Sequence, residues 1–104
     1  MNIENALAEF RLAIQGIYGS RLQDVVLFGS WARGEATPDS DIDLAVILSG
    51  SISPGEEIDR MIDVITDLNF KYGVLISVYP VSNKDYLGLD SPLLMNVRRE
   101  GVRV

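Results

Sequence analysis

Apolar residues recur at helical spacing through the start of the chain, at Ile3, Leu7, Phe10, Ile14 and Ile17, and Gly19 is placed to end the run. This pattern predicts a packing helix over Ile3 to Tyr18. Val25 to Phe28 is then apolar on both faces, as in a central strand. Gly29 breaks the run, and Ser30 is placed to cap a short turn through Trp31, Ala32 and Arg33 that Gly34 ends. Thr37 to Ser40 is turn-forming, and a second strand is predicted from about Asp41 to Leu48. Period-two alternation puts Ile42, Leu44, Val46 and Leu48 on one face of that strand. Asp41, Asp43, Ala45 and Ile47 fall on the other, which changes from acidic to apolar along its length. That is the pattern of a site at one end of a buried strand.

After a polar loop from Ser49, the residues Ser53, Pro54 and Glu56 read as N-cap, N1 proline and capping-box acid. They open a helix to about Lys71 that buries Ile58, Met61, Ile62, Ile65 and Leu68. Asp59, Asp63 and Asp67 recur every four residues on its polar side and read as a solvated face. Val74 to Val81 predicts a third strand, with Ser77 its only polar side chain before Pro80. Ser82 can cap a short turn, Ser91-Pro92 opens a last helix to Glu100, Gly101 ends it, and Val102 to Val104 suits an edge strand. The expected fold is α/β, a small mixed sheet of three or four strands flanked by helices.

The 104 residues are expected to form one domain, 1–104. No run reaches the roughly 18 apolar residues of a membrane span, and Glu4 and Glu9 interrupt any signal-peptide pattern, so a cytoplasmic protein is expected. The chain has no cysteine and no histidine, which excludes disulfides, thiolate chemistry, His-ligated zinc and a histidine base. Nine basic against fifteen acidic residues, net charge −6, argue against direct binding of nucleic acid. A single nucleotide held through a metal ion is not excluded by that charge.

Two carboxylates side by side on one strand face repel each other, and a divalent cation is the simplest complement to Asp41 and Asp43. Gly29 allows a ligand close to the backbone, and Ser30 with the amides of the following turn suits a phosphate. The chain from Ser30 to Asp41 is short enough to bring that cradle beside the acids. Magnesium, which combines few carboxylates with phosphate oxygens and water, fits both halves. The inferred chemistry is metal-assisted displacement at a nucleotide phosphorus.

The ordered string, Gly29-Ser30, ten residues, then Asp41-Ile42-Asp43, resembles the signature of the DNA polymerase β-like nucleotidyltransferase superfamily. The fuller GSWARG…SDIDL is similar to its minimal nucleotidyltransferases, the MNT or MntA-type antitoxins. That resemblance implies the polymerase β-like fold, with Ser30 and its neighbouring amides at the triphosphate and Asp41 and Asp43 as catalytic magnesium ligands; Gly29 and Arg33 complete the candidate nucleotide-binding residues. It also implies ATP as donor, a HEPN-domain toxin as partner, and AMP transfer to a tyrosine hydroxyl on that toxin. The alternative is a nucleotide-binding antitoxin that neutralises its partner by complex formation.

Superfamily catalysts generally carry a third carboxylate on the next core strand, where this chain has Ser77. Arg33 has two candidate roles, phosphate ligand or ion-pair partner of Glu35 or Asp39. Trp31 can stack on a base, touch a partner, or pack the loop. Arg98, Arg99 and Arg103 form a basic end, suited to an acidic partner or to a helix C-terminus. A surface for homo-oligomer formation is expected but not located.

Overall fold

The computed structural model describes residues 2–104. Its elements are α1 (Glu4–Tyr18), β1 (Leu22–Phe28), α2 (Ser30–Arg33), β2 (Ile42–Leu48), α3 (Pro54–Tyr72), β3 (Ile76–Ser82), α4 (Asn83–Gly88), α5 (Pro92–Glu100) and β4 (Val102–Arg103). The four strands form one mixed sheet in the order β3-β2-β1-β4. β1 runs antiparallel to β2 and to β4, while β2 and β3 are parallel and joined through α3.

Helices cover both faces. On one, Phe10 and Ile14 of α1 and Met61, Ile65 and Leu68 of α3 pack on Val25, Leu27, Ile42, Leu44, Val46 and Leu48. On the other, Leu94 and Val97 of α5 pack on Val26, Phe28, Ala45 and Ile47. The β2 residues from Leu44 to Leu48 are all buried, which explains their unbroken apolar run. The alternation read from sequence therefore sorts β2 correctly: Asp43 shares the α5 side with Ala45 and Ile47.

Several details differ from the sequence pattern. The buried stripe of α1 ends on Tyr18 rather than Ile17, which is 38% exposed. Ile62 is 46% exposed, on the solvent side of α3 with Asp59, Asp63 and Asp67. Ser53 makes no side-chain cap, and the reaching acid is Glu57, not Glu56: its Oε2 accepts the Ser53 N–H at 3.2 Å. Glu57 is buried and its Oε1 accepts the Tyr18 hydroxyl at 3.0 Å. This bond accounts for the first departure, because it turns Tyr18 inward in place of Ile17. Burial and Glu57 together push the Tyr18 hydroxyl up to about 12. Ser82 caps a helix, α4, rather than a lone turn, accepting the Asp85 N–H at 3.1 Å.

Replacing Glu57 with alanine leaves the buried Tyr18 hydroxyl and the Ser53 N–H without this acceptor, and is expected to cost about 2 kcal/mol. Glu57→Gln keeps an acceptor oxygen and should lose clearly less. Urea unfolding of the two variants beside the parent measures this, and equal losses would refute the assignment.

Candidate functional site

The site begins at the end of β1. Its register pairs Phe28 with Asp43, so the next residue, Gly29, enters the turn directly beside the Asp43 carboxylate. Gly29 adopts φ 76 and ψ −157, a region that essentially only glycine occupies. A Cβ there would collide with Asp43 Oδ2. Backbone and carboxylate are thus in contact because position 29 has no side chain.

Gly29, not Ser30, is the N-cap of α2, and Ser30 is its first helical residue. The Gly29 carbonyl accepts from the Ala32 and Arg33 amides, both at 3.1 Å. Like those at any helix start, the Ser30 and Trp31 amides have no intrahelical acceptor, so they can serve an anion. Gly34 ends α2 in the left-handed conformation, as the sequence indicates. The indole N–H of Trp31 donates to the Ser40 carbonyl at 3.1 Å, and its ring packs on the core. Trp31 therefore packs the loop that returns the chain to the acids.

Asp41 is exposed at the mouth of β2 and Asp43 is half-buried one pleat further in. Burial, then the charge of Asp41, hold the Asp43 carboxyl above its ordinary pKa, with the Tyr79 hydroxyl and the Arg33 charge pulling the other way. Two hard oxygen donors that repel each other fit a divalent cation that also takes phosphate oxygens. Among the described residues no three His, Cys, Asp or Glu side chains converge into a metal cage. The register gives the reason on the third strand: Asp43 pairs with Ser77, where a third carboxylate would stand. Ser77 is not the only polar group there. Tyr79 lies on the same face of β3, edge-on to Phe28 with ring centroids 5.2 Å apart, and its hydroxyl faces the acids. An aromatic in an apolar run reads as core, which is why the sequence pattern passes over it.

Arg33 reaches the site edge and is paired, but with one partner the sequence indicates and one it does not. Its Nε donates to Glu35 at 2.7 Å, and its Nη1 donates to Glu100 at 3.2 and 3.3 Å. Glu100 Oε1 also accepts the Gly29 N–H at 3.1 Å. Burial works to raise the Glu100 pKa, but the Gly29 N–H and then Arg33 outweigh it and the carboxyl lies below its usual range. The other basic residues of the C-terminal end are engaged locally. Arg98 holds Asp90 and the Tyr86 and Leu89 carbonyls, Arg99 holds Asn96, and Arg103 holds Asp24. An apolar hollow of about 500 Å³ between α1 and Val104 contains none of these groups.

Two outcomes follow from this geometry. Gly29→Ala combines a forbidden φ with the Asp43 collision and is expected to cost roughly 1–3 kcal/mol. Gly34→Ala has positive φ but open space around it and should cost less, so equal losses on denaturation would remove the close-approach argument. For Asp43 the sign is fixed by its raised pKa: the folded protein binds that proton more tightly than the unfolded chain. Its contribution is therefore favourable at low pH and lost as pH rises through the folded pKa. Asp43→Asn should melt higher than the parent at neutral pH, with the gap closing below the ordinary carboxylate range. A parent that is equally stable at neutral pH would refute this.

The nucleotidyltransferase domain family matches residues 7–91. Over 77 residues the chain is 42% identical to a Methanocaldococcus jannaschii protein provisionally named protein adenylyltransferase MJ0604, a span of 74% of this chain and 71% of that protein. It is 36% identical over 100 residues to another from that organism, provisionally named protein adenylyltransferase MJ1305, covering 91% of this chain and 66% of the relative. A solved structure provisionally described as a minimal nucleotidyltransferase superposes with a TM-score of 0.62 at 29% identity, over 100% of this chain and 97% of that one. A crystal structure of a toxin–antitoxin with AMP-PNP gives a TM-score of 0.67 at 19% identity, over 96% of this chain and 70% of that one, a likeness of fold. The matched segment contains all three strands that build the acid site, and on that ground the chain belongs to the nucleotidyltransferase domain family and is a nucleotidyltransferase enzyme.

Proposed function

We propose that this nucleotidyltransferase transfers AMP from ATP to a tyrosine hydroxyl of a HEPN-domain toxin, as the antitoxin of that pair. The observation that carries the nucleotidyl-transfer part is the contact of the Gly29 turn with Asp43, with Asp41 beside it. In this reading the Gly29–Ser30 turn and Arg33 receive the triphosphate. Asp41 and Asp43 would hold Mg²⁺, whose positive charge would offset that of the phosphates and of the leaving group. The acceptor hydroxyl oxygen would form the new bond to the α-phosphorus as the bond from that phosphorus to the β-phosphate oxygen breaks, pyrophosphate departing and the phenol proton passing to solvent.

The protein acceptor is supported by the names of the two archaeal relatives and by the toxin–antitoxin structures of the same fold. It is also supported by the surface of the C-terminal helices. Leu87, Leu89, Leu93 and Met95 are exposed there, on the side of the sheet that carries Asp43, and an apolar surface of that kind suits a protein partner. With no histidine in the chain, no imidazole of its own can accept the phenol proton.

The test is the intact mass of a candidate HEPN partner after incubation with this protein, ATP and Mg²⁺. An AMP-sized increment is expected, lost when Asp41→Asn and Asp43→Asn are combined. An increment that survives in the double variant would refute the roles given to the acids. A stable complex without any increment would favour neutralisation by occlusion, the outcome that Ser77 in the third-acid position would then explain.

A further inference from the structure

We infer that Glu100 is a positioning residue of the nucleotide site, holding the Gly29 turn and the Arg33 guanidinium in the arrangement that a triphosphate meets. The inference rests on the nucleotide-transfer reading above. It concerns a residue outside the segment matched to the family, which ends at residue 91.

One oxygen of Glu100, Oε1, accepts both the Gly29 N–H at 3.1 Å and Arg33 Nη1 at 3.2 Å. The carboxylate therefore bridges the two groups on either side of α2. Its side chain is 17% exposed, against 62% for Glu35, the other partner of Arg33. An exposed pair such as Arg33–Glu35 orients little, whereas a carboxylate that also takes the part-buried Gly29 N–H ties both donors to one acceptor. The hydrogen bonds of Arg33 use Nε and Nη1, which leaves Nη2 for another acceptor.

The carboxylate is itself held in place by backbone. Gly101 N–H donates to the Val97 carbonyl at 2.9 Å, and a Cβ on Gly101 would collide with that carbonyl and with Val26. β4 then pairs with β1 at Val26 and Leu27, and Val104 N–H donates to the Val25 carbonyl at 2.9 Å. Glu100 is thus fixed to the same strand whose end carries Gly29. The C-terminal helix and edge strand act on the site through it.

A competing view makes Glu100 an occupant of the phosphate seat that ATP must expel, and the two views predict opposite signs. The experiment is ATP binding in the presence of Mg²⁺, by titration calorimetry on the full chain. The variants are Glu100→Ala, Glu100→Gln, Arg33→Ala and the Arg33→Ala/Glu100→Ala pair, each with its melting curve. Glu100→Ala is expected to weaken binding about tenfold, and Glu100→Gln, which keeps an acceptor of the same length, to restore most of it. In the Arg33→Ala background, Glu100→Ala should add a smaller loss than in the parent, because only its hold on the Gly29 turn is left to lose. Tighter binding in Glu100→Ala, unchanged binding, or full additivity with Arg33→Ala would each overturn the inference. If Glu100→Ala does not fold, Glu100→Asp, which keeps the charge but is too short to bridge both donors, replaces it with the same expected loss and the same refutations. A parent that binds no Mg²⁺–ATP would overturn the nucleotide reading itself. Parental binding that the variants leave intact would overturn only the role of Glu100.

Discussion

The contact between the Gly29 backbone and the Asp43 carboxylate is the constraint on which the rest of the site depends. It exists because the β1–β2 register places Phe28 opposite Asp43, so that the strand end and the acid meet without any intervening side chain. Move the register by one residue and Asp43 would turn to the α1–α3 face, into apolar packing. The register is protected by burial: β2 is apolar on both faces from Leu44 onward, and helices cover both sides. Core packing and site geometry are therefore one problem, solved by the same strand pair.

The second organising interaction is electrostatic. Asp43 is held above its ordinary pKa by burial and by Asp41. The nearest positive group, Arg33, already serves two carboxylates, Glu35 and Glu100. The chain as a whole is acidic, with net charge −6. In the proposed reading the positive charge that offsets both the acid pair and a triphosphate thus enters with the metal ion, so nucleotide and metal are expected to bind with mutual support.

What was legible in the sequence is what depends on neighbours along the chain. The alternation of β2, the breaks at Gly29 and Gly34, and the spacing from Gly29-Ser30 to Asp41 and Asp43 could all be read locally, and each has its counterpart in the structure. What could not be read depends on distant partners. Glu100 meets Arg33 across 67 positions, and at the end of a helix it looks like any solvated acid. Tyr79 reads as core because its ring packs on Phe28, while its hydroxyl faces the acids. Tyr18 displaced Ile17 from the buried stripe because Glu57, on another helix, offers its hydroxyl an acceptor. The strands and helices follow from periodicity, whereas the polar contacts between them follow from topology.

Topology also bears on the substitution at the third-acid position. Ser77 pairs with Asp43, so it stands where a carboxylate would complete a three-acid site, yet the face beyond it is closed by Tyr79 against Phe28. A third carboxylate at Ser77 would add like charge beside an acid already raised in pKa by Asp41 and by burial. Without it, Asp43 has less like charge beside it, and in the proposed reading more of the metal's coordination sphere would be left to phosphate oxygens and water. In the proposed reading such an open, two-acid site places more of the burden of orientation on the turn and on Arg33. That is the burden the Glu100 bridge is built to carry, through a helix and an edge strand whose backbone is paired to β1 itself.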